Sequence, residues 1–127
     1  MNVVVLAGRL SSPPQEKLLE SGTRLMSLQV TVPGDAKGAE SVPVVWFDAP
    51  ARAVEMDEGE EVVVVGRVRR RFFRAGGATQ SRTEVLADSV VAARRVAAVR
   101  SSLAGAVERL AAALDQAGPA GRRSGRR

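Results

Sequence analysis

A chain of 127 residues has room for one domain of ordinary size and an appendage; having neither cysteine nor histidine, it is closed to disulfide frameworks, Cys/His zinc sites and Cys/His nucleophile pairs. The formal net charge of +5 is unevenly placed, residues 1–91 carrying 11 basic and 12 acidic side chains and residues 92–127 carrying 8 and 2. No apolar run approaches the roughly 20 residues of a membrane helix, and residues 1–20 lack the charged start and long apolar centre of a secretion signal, so a cytoplasmic protein without membrane contact is expected.

The β-branched run Val3–Leu6 reads as a first strand, continued by Arg9 and Leu10 and broken by Ser11-Ser12-Pro13-Pro14. Lys17–Glu20 leads to the turn signal Ser21-Gly22. From Leu25 to Val32 the chain alternates, with Met26, Leu28, Val30 and Val32 on one face, which marks a half-buried second strand. A loop from Pro33 to Ala39 precedes a third strand, Val42–Phe47, whose Pro43 suits an edge. Residues 48–56 have space for a short helix, with Pro50 tolerable in its first turn. The fourth strand is Val62–Phe73, Ala75–Ala78 is a flexible tip, and Thr83–Val91 is the fifth strand. Five short strands with one short helix between the third and fourth describe an all-β chain, the five-stranded OB-fold barrel, a fold that binds oligonucleotides across one face and its loops.

Past Arg95 the period turns helical: Val96, Val99, Leu103, Val107, Leu110 and Leu114 recur at spacings of three and four. Little more than two heptads is too short for a long coiled coil, so the stripe is expected to pack on the barrel or on a second copy. Gly118-Pro119 is expected to end the helix. The expected organisation is thus a barrel domain over 1–93, a C-terminal amphipathic helix over 94–117 and a disordered basic tail over 118–127.

One stretch carries chemistry. In Glu61–Arg74, EVVVVGRVRRRFFR, strand alternation sends Arg67, Arg69, Arg71 and Phe73 to one side and Val68, Arg70 and Phe72 to the other. Guanidiniums bind phosphates and stack on bases, and a ring offers any base a flat partner, the pattern of sequence-tolerant single-strand binding. The competing reading is an edge strand whose arginines serve solubility while both phenylalanines enter a core.

With the strands placed, the chain resembles the bacterial single-stranded-DNA-binding protein family. The opening Asn2-Val3-Val4-Val5-Leu6-Ala7-Gly8-Arg9-Leu10 resembles the family's first strand and Ser21-Gly22 its following turn. Val44-Val45-Trp46 resembles a third-strand motif ending in a base-stacking aromatic, Gly59 and Gly66-Arg67-Val68 fall near their family positions, Phe73 lies where a further stacking ring is placed, and Thr83-Glu84-Val85 resembles the start of the last strand. The resemblance implies an OB-fold that binds single-stranded DNA without catalysis or cofactor, as a homo-oligomer, dimer or tetramer, with replication or repair proteins as candidate partners. By position it implies DNA contacts from Arg9, Trp46, Arg67, Arg69, Arg71 and Phe73. A shift of one residue would give the role of Trp46 to Phe47 on the opposite face; Phe72 is expected in the core, and Arg9 is either a phosphate contact or a solvated strand end.

Three departures qualify the likeness. Two aromatic platforms usual in the family have no equivalent, the corresponding region offering Ala36 and Ser41, so a shorter or weaker site is expected at about 1–3 kcal/mol per stacked base. The chain closes on the basic run Gly121–Arg127 where the family carries an acidic tip that recruits partners, and an apolar helix stands in place of a long flexible tail. These departures motivate a second reading, a protein–protein assembly module of the primosomal type with weak or no DNA binding. RNA stays open as a ligand, since stacking and phosphate contacts do not by themselves exclude a 2′-hydroxyl. An enzyme is not expected: Glu55, Asp57, Glu58, Glu60 and Glu61 read as a solvated helix end with no base or nucleophile beside them.

Overall fold

The computed structural model describes residues 1–34 and 38–125, with side chains described as far as residue 117. It has six strands, β1 (Val4–Leu10), β2 (Gln15–Leu18), β3 (Arg24–Val32), β4 (Glu40–Phe47), β5 (Glu61–Ala75) and β6 (Ala78–Ala92), followed by helix α1 (Val96–Gly125). The unexpected strand is β2. All four of its side chains are exposed, so no apolar alternation announces it. Backbone pairing to β3 holds it, from Gln15 opposite Ser27 to Leu18 opposite Arg24, with a Glu16–Arg24 ion pair across the two strands.

The short helix expected over 48–56 is a 3-10 helix of five residues, Ala51–Glu55. Its bonds run from the Ala53 N–H to the Pro50 carbonyl and from the Met56 N–H to the Ala53 carbonyl, the i to i+3 spacing that closes a turn in fewer residues than an α-helix needs. It tucks Ala53 and Met56 into the core.

The strands are ordered β1-β5-β6-β4-β3-β2, and β1 also pairs with β3. The pairings therefore return to their starting strand, with β2 appended outside the ring. The seam is narrow: only Arg9–Thr31 and Leu10–Val30 are paired across it. Gly8 makes that approach possible, because a Cβ there would stand 2.4 Å from the Thr31 carbonyl oxygen.

Inward side chains alternate as a strand requires, with Leu10, then Met26, Leu28 and Val30, then Val44 and Trp46, then Val62 and Val64. Each fully buried Leu, Val or Met contributes about 1.5–3 kcal/mol. In β6 the inward set changes from Val85 to Val90, an odd to an even position, because Val65 faces Ser89 while Gly66 faces Ala87 and leaves Asp88 without a partner.

Helix α1 lies on β5 and β6. It buries Ala106, links Ser102 to the Ser89 hydroxyl at 3.2 Å and sets Arg109 3.5 Å from Asp88. The expected stripe divides: Val99, Leu103 and Leu110 are half-buried, whereas Val96, Val107 and Leu114 are exposed. The helix continues past Gly118-Pro119, where its end was expected, to Gly125. The basic tail expected over 118–127 lies outside the residues whose side chains are described.

Candidate nucleic-acid interface

Pairing with β1 ends at Gly66, so among the described residues β6 is the one strand paired with β5 from Arg67 onward, with the Val68 N–H donating to Asn2 Oδ1 at 2.6 Å. The two arms meet at Gly76-Gly77, both with positive φ (59° and 79°), as a two-residue turn that matches strand twist demands. That turn sets the register of the whole distal hairpin: Phe73 faces Gln80, Arg71 faces Arg82, Arg69 faces Glu84 and Arg67 faces Leu86. Directly paired residues share a face. Arg67, Arg69, Arg71 and Phe73 therefore stand together as expected, joined by Arg82 and Glu84, which sequence reasoning had not singled out as site residues.

Glu84 is 1% exposed, the one buried charged side chain among the described residues. Its Oε2 accepts from Arg69 Nε at 2.9 Å, and Arg69 Nη2 lies 2.8 Å from the same oxygen. Arg71 and Arg82 are farther, at 3.6 Å and 3.7 Å, and Oε1 has no hydrogen-bond partner. A buried carboxylate needs such company, since stripping one partner from a buried pair costs about 3–5 kcal/mol.

Two rings border this cluster. Phe73 is half-buried, with the Arg71 guanidinium carbon 5.4 Å from its ring centre. Phe47, at the end of β4, is 41% exposed, and the Arg69 guanidinium carbon lies 6.0 Å from its ring centre. Both distances are within the range of cation–π attraction. Trp46 is not part of this face. It is 5% exposed in the core, opposite Met26, because strand alternation turns Trp46 inward with Val44 and leaves Phe47 outward. The burial expected for Phe72 is also reversed: it is 66% exposed, since no further strand pairs with this part of the hairpin.

Arg67 is exposed and borders a hollow shared with Asn2, Asp88 and Arg109, at the α1 end of the face. Arg9 is separate. It pairs with Glu61 at the start of β5, eight positions from Arg69, roughly 26 Å along a strand, and lines a cleft of about 510 Å³ with Thr31, Pro33 and Ala93. Among the described residues no three acidic side chains converge on a metal-sized site, and no helix is long and apolar enough to cross a membrane.

Residues 1–93 match the single-strand binding protein family. The chain belongs to that family. The family is one of OB-fold proteins, and membership supports single-stranded DNA binding in general terms. No curated protein matches the chain. In this member of the family the distal hairpin and the end of β4 supply rings, guanidiniums and an exposed face at one place, whereas Arg9 and Trp46, matched to the family by position, lie outside it.

Proposed function

We propose that this member binds single-stranded DNA without sequence preference on the face formed by the β5–β6 hairpin and Phe47. Bases stack on Phe47 and Phe73 while Arg67 and Arg71 meet phosphates. The observation that carries the reading is the convergence of two ring-bearing strands on one arginine cluster, with guanidiniums already beside both rings. The ring of strand pairings is read as the five-stranded barrel, acting in the cytoplasm as a dimer or tetramer in DNA replication, recombination or repair, with proteins of those processes as partners. The experiment is anisotropy of a labelled dT oligonucleotide at several salt concentrations. Affinity should fall on a log–log plot with slope about −0.7 per phosphate contacted. Absence of binding at low salt overturns the reading. A competing RNA oligonucleotide of equal length decides whether the sugar is read.

A second reading, an assembly module of the primosomal type, is favoured by one observation: Val96, Val107 and Leu114 are exposed on α1. A stable complex with a replication protein, formed by a chain without affinity for oligonucleotides, would select it.

A further inference from the structure

Three arginines surround one carboxylate on the hairpin face, and their geometry is unequal. Arg69 places two nitrogens within 2.9 Å of Glu84 Oε2, whereas Arg71 and Arg82 stop at 3.6 Å and 3.7 Å, beyond hydrogen-bond length. Glu84 is shut away from solvent. Releasing Arg69 to another anion would strand a buried charge, which no single exposed contact offsets. Arg69 is thus committed to Glu84. Arg71 and Arg82 hold Glu84 only as longer ion pairs without a hydrogen bond, and their side chains are nearly half exposed. They are also directly opposite one another across the hairpin, a like-charge pairing that weakens a sheet and that the single charge of Glu84, already bonded to Arg69, offsets only in part. One carboxylate against three guanidiniums leaves the cluster with two positive charges unmatched.

We infer that Arg71 and Arg82 together form a site for one backbone phosphate, beside the Phe73 ring, and that Glu84 divides the cluster by holding Arg69 as a positioning residue over Phe47. The inference rests on the single-strand binding proposed above and extends it. It adds a phosphate contact, Arg82, from the opposite arm of the hairpin, and gives the reason that Arg69 is not among the phosphate contacts. The phosphate lies where a base stacked on Phe73 would bring its own backbone.

The test is the salt dependence of dT-oligonucleotide binding by the full chain and four variants. Arg82→Gln and Arg71→Gln should each reduce the log–log slope, and the two together by no more than about 0.7, one phosphate on a single strand, with melting temperatures near that of the parent. Arg94→Gln, an equal change in charge at a 74% exposed side chain beside Glu60, should leave the slope alone. The double variant Arg69→Gln/Glu84→Gln removes the buried pair without stranding either charge, and should also keep the parental slope. If Arg82→Gln keeps the parental slope, or matches Arg94→Gln, the phosphate site is wrong. If the double variant loses about 0.7, Arg69 is a phosphate ligand and the division is wrong. If the parent itself does not bind, the functional proposal falls and this site with it, an outcome distinct from altered slopes in a chain that binds.

Discussion

Phe73 and Phe47 differ from Trp46 in what truncation should remove. Phe73→Ala or Phe47→Ala should weaken dT-oligonucleotide binding by about 1–3 kcal/mol, roughly 5- to 150-fold, measured by anisotropy. The fold should survive, because neither ring belongs to the central cluster. Trp46→Ala should instead cost about 3–5 kcal/mol of stability in chemical denaturation, and in the parent the emission of Trp46 should stay unchanged as oligonucleotide is added. Strong quenching would return the tryptophan to the binding face. Which of two adjacent aromatics faces inward could not be read from residues 44–47, since Val-Val-Trp-Phe is apolar on both faces and alternation has no visible phase. Pairing Met26 with Trp46 settles it by placing the indole within the ring of strands.

At the level of elements, the hairpin was half legible. The arginine-bearing arm and the glycine tip stand out in the sequence, and a two-residue turn at Gly76-Gly77 already implies that Arg69 faces Glu84. The turn's exact length had to be known before that pairing could be stated. The double substitution Gly76→Ala/Gly77→Ala forces side chains into positive φ, at about 1–2 kcal/mol per residue. It should speed amide hydrogen exchange in residues 67–75 and weaken oligonucleotide binding, while exchange in β3 and β4 stays slow. Uniformly faster exchange would mean that the hairpin and the core open as one unit. At the seam between β1 and β3, Gly8→Ala should lower stability by about 1–3 kcal/mol in a urea titration, since the added methyl meets the Thr31 backbone rather than a movable side chain. β2 was illegible because exposed, backbone-held strands leave no hydropathy signal.

For the molecule as a whole, the net excess of positive charge lies in residues 92–127, apart from the proposed site. Residues 118–127 hold four arginines, and a chain ending at Ala117 should bind dT oligonucleotides with a shallower salt dependence but still bind, by anisotropy across a salt series. Loss of all binding would move the site off the hairpin. Local patterns alone were enough for the strand-rich class, the helical period after Arg95 and the arginine–phenylalanine face of β5, because alternation and helical spacing are properties of neighbouring residues. The burial of Trp46, the exposure of Phe72 and the enclosure of Glu84 among three arginines depend on which strands meet. Those were decided by contacts between residues far apart in the chain, through the register of the hairpin, the pairing of β4 with β3 and β6, and the close approach at Gly8.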